Sequence, residues 1–392
     1  MVLLSLRQQP FKGLYWAYQG LTTAFIYVPI WTIIYLPPFL RPRRGWSLWR
    51  TIRVRILQKG VAISAKTGPF MRSPDHLALV KDAKGDWVEP IPEELILGGI
   101  KCMAVAARVG PVRLPGYWLD REGSDIPIHK SPMPGEKVLY HLHGGGYAVL
   151  SANPNDPTAA ISRGILNRSK DIQRVFSIEY RLSTPTTHPF PTALIDALTG
   201  YYHLVHTIGF APEDIIVEGD SAGGNLALSL VRYLVEYATE PGMDALAPPG
   251  RLVLMSPWVD LGTVGETSDS SLFTCVDTDY ITLQGIHRNV DIFTGPFGAA
   301  AADINPYISP ASLHPALKVS FKGFPRTFIA AGGAEMLRDQ IRVVKDRLVR
   351  DLGEENVAYY EPPDAIHDYT AFSYHEPERT DTFTRIGAWL SS

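Results

Sequence analysis

The pentapeptide Gly219-Asp-Ser-Ala-Gly223 places a serine between two glycines, directly after the apolar run Ile215-Ile-Val-Glu218 and at the start of a helix-forming stretch near Ala222. A serine on such a strand-turn-helix corner presents its hydroxyl above a sheet, and small neighbours are needed because the turn is sharp. The chemistry this suits is nucleophilic attack by Ser221, with the Ala222 N–H aimed at the oxyanion that results. The bland alternative, a helix-capping serine in a Gly-rich turn, does not call for a strand immediately before it. Upstream, His143-Gly-Gly-Gly146 follows a second apolar run. Consecutive glycines let backbone approach a substrate closely, so Gly144, Gly145 and Gly146 are further candidates for oxyanion donors. A Gly-rich turn can also cradle phosphate, but no Gly-Lys-Ser/Thr follows to grip one. His143 reads as a structural histidine that holds this loop.

These two loops need a rigid frame. From about Val112 onward, short apolar runs alternate with helical stretches. The runs are Lys137–His141, Val175–Glu179, Ile215–Glu218, Leu252–Leu254, Thr327–Ala330 and Val357–Tyr360, and the helices include Pro191–Ile208, Ala222–Tyr237 and Met336–Leu352. Such alternation predicts an α/β fold, a mostly parallel central sheet with helices on both faces. Functional residues then belong at the carboxyl ends of the strands.

The joint pattern of His143-Gly-Gly-Gly146 and Gly219-Asp-Ser-Ala-Gly-Gly-Asn225 resembles the hormone-sensitive lipase family of α/β-hydrolases. Glu179-Tyr-Arg-Leu182, His188-Pro-Phe-Pro191 and Ala193 resemble the family's segment between the two motifs, and the likeness runs from about Lys137 to the C-terminus. The resemblance implies the α/β-hydrolase fold with an N-terminal helical cap, and a triad in the order serine, acid, histidine. The family's acid motif reads Asp-Pro-Leu-x-Asp. Here Glu335-Met-Leu-Arg-Asp339 stands in its place, so Glu335 falls on the triad acid and Asp339 on the second carboxylate. A glutamate suffices, because the role needs only a carboxylate accepting from imidazole Nδ1–H. His367, in the loop after the last strand, matches the family's histidine, with His375 as competitor. Neither metal nor cofactor is expected.

Composition agrees with a globular enzyme: 45% hydrophobic and 20% charged residues, and a formal net charge of -3 that argues against a nucleic-acid binder. The two cysteines, Cys102 and Cys275, make neither a disulfide scaffold nor a metal-ligand pattern. The N-terminus is different. Gly13 to Leu40 is 28 residues without a charge, bounded by Lys12 and by Arg41, Arg43 and Arg44. At about 1.5 Å per residue, Leu14–Leu36 reaches roughly 30 Å as a helix, enough for a bilayer core. Tyr15, Trp16 and Tyr18 lie near one end, Trp31 and Tyr35 near the other, as an aromatic belt requires, while Pro29 interrupts the middle. Trp46, Trp49, Ile52 and Ile56 share one face of a following helix with arginines between them, which suits either a membrane surface or a cap helix with a solvated basic side. The competing reading is a kinked apolar helix packed over the catalytic domain.

Three regions are therefore expected: a membrane-anchor segment over 1–45, a helical cap region over 46–110 and the catalytic domain over 111–392. The expected partners are a small hydrophobic ester and membrane lipid. Membrane-bound members of the resembled family, such as arylacetamide deacetylase and steryl acetyl hydrolase, carry an N-terminal apolar anchor, which points to the endoplasmic reticulum. The arginines after the apolar segment instead favour a cytosolic catalytic domain, so the side stays open. The expected activity is hydrolysis of short acyl esters of hydrophobic alcohols through an acyl-enzyme on Ser221. Two alternatives share the fold: an acyltransferase using the same triad, and a catalytically dead ligand-binding relative, against which the joint presence of Ser221, Glu335 and His367 counts.

Overall fold

The computed structural model describes residues 6–70 and 74–392. In chain order its main elements are α1 (Phe11–Thr22), α2 (Val28–Tyr35), α3 (Leu48–Thr67), β1 (Gly85–Val88), α4 (Gly98–Ala107), β2 (Leu114–Asp120), β3 (Lys137–Leu142), α5 (Ala159–Arg168), β4 (Ile172–Ile178), α6 (Thr192–Tyr202), β5 (Ile215–Asp220), α7 (Ala222–Glu236), β6 (Arg251–Met255), α8 (Ser271–Thr274), α9 (Leu283–Thr294), α10 (Ala300–Ile304), β7 (Arg326–Ala330), α11 (Arg338–Leu352), β8 (Val357–Tyr360) and α12 (Glu378–Leu390). The eight strands form one sheet in the order β1-β2-β4-β3-β5-β6-β7-β8. Strand β2 runs antiparallel to both β1 and β4, and the remaining pairings are parallel.

The central strands are apolar on both faces because helices cover both. Along β3 the alternation is plain: Leu139 packs with Ile165, Ile216 and Phe383 on the α5/α12 side, and Val138, Tyr140 and Leu142 join the larger core on the other. Helix α11 buries Ile341, Val344 and Leu348, the one-face spacing of an amphipathic helix. The six strand runs read from sequence all form. Sheet formation begins earlier than the alternation from Val112 suggests, since β1 lies within the region expected to be helical cap. Strand β1 has only four residues, and β2 is punctuated by Pro115 and Gly116, so neither stands out as an apolar run.

The N-terminal apolar stretch does not form the membrane-crossing helix expected of Leu14–Leu36. Helix α1 passes through a π-helical turn at Thr23–Tyr27 into α2, which carries Pro29 in its first turn. Among the described residues, no helix is long and apolar enough to cross a membrane. This helical layer instead lies along α3. Trp16 Nε1 donates to Thr67 Oγ1 at 3.0 Å, the Lys59 ammonium sits 3.7 Å from the Tyr27 ring centroid, and Arg55 Nε donates to the Tyr35 hydroxyl at 3.1 Å. Helix α3 is capped by Ser47, whose hydroxyl accepts from Arg50 N–H at 3.1 Å. It ends at Gly68, whose φ of 80° lies in the left-handed region that favours glycine.

Helix α3 is tied firmly to the rest. Trp46, just before it, and Val54 within it share a buried cluster with Ala334, Ala365, Ile366 and Tyr369, residues of the loops after β7 and β8. Trp46 Nε1 donates to the Asp364 carbonyl at 2.7 Å, Arg43 pairs with the Asp364 carboxylate at 2.9 Å, and Arg50 pairs with Glu378 at 2.7 Å.

Candidate active site

Ser221 stands at the junction of β5 and α7 with φ 50° and ψ -118°. A non-glycine residue holds such a conformation only where its surroundings over-determine it. Here they do: Ser221 N–H donates to the Met255 carbonyl at 2.9 Å, and its own carbonyl accepts from Trp258 N–H at 2.8 Å. Glycine is required at 223 because a Cβ there would run into the Leu142 carbonyl.

The Ser221 hydroxyl lies 2.9 Å from His367 Nε2, and His367 Nδ1 lies 3.3 Å from Glu335 Oε2. The three residues come from the turn after β5, the loop after β7 and the loop after β8, all at the carboxyl edge of the sheet. With Nδ1–H directed at Glu335, the Nε2 lone pair faces the serine hydroxyl and can take its proton. Burial lowers the His367 pKa to about 4, against an upward pull from Asp279. Burial raises that of Glu335 to about 8. His375 is also buried, but it is enclosed by Tyr369, Phe372 and Tyr374, and among the described residues neither ring nitrogen has a hydrogen-bond partner. Asp339 faces away from His367; it accepts from Ser271 N–H at 2.7 Å and pairs with Arg338 at 3.0 Å.

The predicted oxyanion donors divide. Gly145 and Gly146 line the same cavity as Ser221 and His367. Gly145 has φ 101°, and a Cβ there would collide with the Val149 carbonyl. The N–H of Gly144 is already taken, donating to Asp220 Oδ1 at 3.1 Å, so Gly144 anchors the loop rather than facing a substrate. Ala222 N–H starts α7 beside the nucleophile. His143 is structural as read: it stacks on Tyr180 at 4.2 Å, and its Nδ1 lies 2.8 Å from the Gly144 carbonyl.

Beneath this loop, His141 Nδ1 meets Glu218 Oε2 at 2.6 Å, and both lie close to Asp220. Among the described residues these three are the only group crowded enough to hold a metal. His141 Nδ1 and Glu218 Oε2 engage one another and Asp220 Oδ1 holds Gly144, while Glu218 Oε1 and Asp220 Oδ2 are buried without a partner among the described residues. Cys102 and Cys275 are both free thiols.

The cavity over Ser221 has a volume of about 570 Å³ and is lined mainly by apolar side chains. One wall is α3, through Leu57 and Val61, continued by Phe70; the opposite side comes from α9, through Ile286 and Asn289. A cap from the N-terminal region is thus in place, and the contribution of α9 is an addition the sequence did not suggest. Two carboxyls near the imidazole were also not anticipated. Asp368 Oδ2 is 3.2 Å from His367 Nε2 and lines the cavity, with burial pushing its pKa well up. Asp279 touches the His367 backbone. Asp368 adjoins the histidine in sequence and so had a signal; Asp279 had none.

Residues 139–371 match the family described as alpha/beta hydrolase fold. An esterase of Acinetobacter venetianus is 27% identical over 283 residues, covering 71% of this chain and 78% of its own. The esterase LipU of Mycobacterium tuberculosis is 27% identical over 254 residues, covering 65% and 77%. Among solved structures, a hormone-sensitive lipase from a metagenome library superposes with a TM-score of 0.57 at 22% identity, covering 86% of this chain and 97% of its own. The strained serine corner, the glycine loop before it and the sheet that carries both therefore have one source: the chain belongs to the alpha/beta hydrolase fold family.

Proposed function

We propose that this protein is a serine carboxylic-ester hydrolase that works through an acyl-enzyme on Ser221. The observation that carries the reading is the 2.9 Å contact between Ser221 Oγ and His367 Nε2, backed by Glu335, at the floor of a mainly apolar cavity. As the Ser221 oxygen bonds to the ester carbonyl carbon, its proton passes to His367 Nε2. The carbonyl oxygen becomes an oxyanion held by the N–H groups of Gly145, Gly146 and Ala222. The imidazolium then gives its proton to the departing alcohol, leaving the acyl group on Ser221. Water repeats the sequence and releases the acid.

The preferred substrates are short acyl esters, acetyl to about hexanoyl, of bulky apolar alcohols. The support is the apolar wall made by α3, Phe70 and α9, which suits a hydrophobic alcohol, and the family's esterases. Turnover of p-nitrophenyl esters of increasing chain length tests this. A rate that rises from short to long chains, or faster hydrolysis of long-chain triacylglycerol, would overturn it.

The same reading includes a membrane location, with the N-terminal helices lying in the plane of the surface. Phe11, Leu14, Phe25, Ile33 and Phe39 are all more than half exposed on this layer. Of the 37 Lys and Arg residues, 11 fall within the first 74 positions, where there is no Asp or Glu; all 40 acids come later. An apolar face flanked only by cations complements an anionic lipid surface.

A further inference from the structure

The turn that carries Asp279, between α8 and α9, stands outside the row of Ser221, His367 and Glu335, yet it binds both loops that bring His367 and Glu335 together. Asp279 is 1% exposed. Its Oδ2 accepts from the N–H of Met336, the residue after Glu335, at 2.7 Å. Its Oδ1 accepts from Tyr280 N–H at 2.8 Å and from His367 N–H at 3.3 Å. One carboxylate thus bridges the acid loop and the histidine loop. Uncharged neighbours hold the acid loop as well: Thr278 Oγ1 donates to the Ala334 carbonyl at 2.7 Å, and Ser271 Oγ to the Met336 carbonyl at 2.8 Å.

The two carboxylates near the imidazole are unequally equipped to carry charge. Asp279 receives three N–H groups, the arrangement that stabilises a buried anion. Glu335 is served less directly: among the described residues its Oε1 has no partner in hydrogen-bond geometry, its contact with His367 at 3.3 Å is long for a charge-assisted bond, and the Ser256 hydroxyl and Gly332 N–H only partly offset its burial.

We infer that Asp279 is a positioning residue, which fixes the Glu335 and His367 loops against each other and supplies the standing negative charge that steadies the imidazolium. This rests on the hydrolase reading above. The groups facing the imidazole are Glu335 from the acid loop, Asp368 from its own loop at 3.2 Å, Ser221, and the Tyr280 ring at 5.8 Å; Glu361 after β8 and Arg338 at the start of α11 act on Glu335 in opposite directions. Burial raises both carboxyls, and at Asp279 the N–H groups of Met336 and Tyr280 pull the other way. Asp279 also pulls the His367 pKa upward against the downward effect of burial. Removing that charge makes the imidazole a weaker base, so neutral His367 persists to lower pH.

The test is the pH profile of kcat and KM on p-nitrophenyl butyrate for the full chain and for Asp279→Asn, Ser271→Ala and Glu335→Gln. Asp279→Asn is expected to lower kcat about a hundredfold, the order a misplaced reacting group costs. KM should stay within about threefold, because ground-state binding is untouched. The acid limb of kcat/KM should move to lower pH. Ser271→Ala removes an uncharged tie to the same loop, so it should cost less than about tenfold and leave the limb in place. Equal effects of the two variants, or an unmoved limb in Asp279→Asn, would overturn the proposal. Should Asp279→Asn fail to fold by circular dichroism, Glu335→Gln decides. A loss near a hundredfold leaves an electrostatic share for Asp279, whereas the loss of about 10⁴ seen when a sole triad acid becomes an amide leaves none and refutes it. Labelling of the unmodified protein by a fluorophosphonate separates the two readings. Ser221 that labels beside an unmoved Asp279→Asn limb sinks this proposal alone. Ser221 that neither labels nor turns over ester sinks the hydrolase reading and this one with it.

Discussion

Ser221 spends backbone strain to stay in reach of His367, and two backbone hydrogen bonds at 2.8 and 2.9 Å hold it there. Its side chain, in contrast, supports nothing structural beyond its bond to the imidazole. Ser221→Ala is therefore expected to abolish ester hydrolysis and fluorophosphonate labelling while leaving the thermal unfolding midpoint within a few degrees. Labelling at another serine would refute the assignment. His367 gives a second prediction at this scale. Its pKa is depressed to about 4 by burial, so the neutral form that accepts the serine proton persists well below the ordinary value of 6.5. The acid limb of kcat/KM in the unmodified protein should lie below pH 6.5; a limb at or above that value would mean His367 is not buried in the working enzyme.

Legibility varied among these residues for a physical reason. The nucleophile was readable because strand, sharp turn and helix are consecutive in the chain, and only small residues fit such a corner. Glu335 was readable by register against a motif, despite standing where the family has aspartate. Gly144 resembled its two neighbours in sequence, and only the Asp220 carboxylate distinguishes it in space. Asp279 was invisible because it works on backbone N–H groups 57 and 88 residues away, and an amide donor leaves no mark in a side-chain pattern.

At the scale of elements, α3 matters most. The sequence offered two readings of this basic-and-aromatic helix, a membrane surface or a cap with a solvated basic side, and the structure turns Trp46 and Val54 inward onto the catalytic loops, as the second requires. Trp46 is 1% exposed and packs on Ala365 and Ile366, immediately before His367. Trp46→Ala should destabilise the fold by about 3–5 kcal/mol, the usual range for deleting a buried aromatic side chain. It should also lower kcat more than it changes KM, because the loop it supports carries the base. Urea unfolding together with steady-state kinetics checks both. A loss of stability below about 1 kcal/mol would mean that this cluster tolerates the cavity. The edge strand β1 and its neighbour β2 went unread for the opposite reason: their short, Gly- and Pro-bearing sequences carry little apolar periodicity, and pairing of β1 with β2 and of β2 with β4 gives them their shape.

For the whole molecule, the helical layer over residues 11–35 and helix α3 over 48–67 have separate duties. The layer of α1 and α2 exposes its apolar face, whereas α3 is bound into the catalytic loops. A chain beginning at Arg41 is therefore expected to retain ester hydrolysis and to leave membranes on treatment with alkaline carbonate, while the full chain stays in the pellet until detergent is added. A full chain recovered in the carbonate supernatant would refute the membrane location. A chain beginning at Gly60 loses Trp46, Arg50 and Gln58, whose side-chain amide donates to the Asp279 carbonyl at 2.7 Å, and should be inactive, so the position of the cut matters more than its length.

Helix α3 has one further consequence. Leu57 and Val61 face the cavity, and Lys59, Ala62 and Ile63 on the same helix face the gap beneath α1 and the π-helical turn. A single helix, about 10 Å across with its side chains, thus separates the reaction from the exposed apolar layer. An ester dissolved in a lipid film would meet the enzyme as a solute in two dimensions. Its rate should follow mole fraction in the film rather than concentration in the tube: adding inert lipid at fixed total substrate should slow the protein by dilution within the surface, and adding buffer should leave the rate of the bound enzyme unchanged.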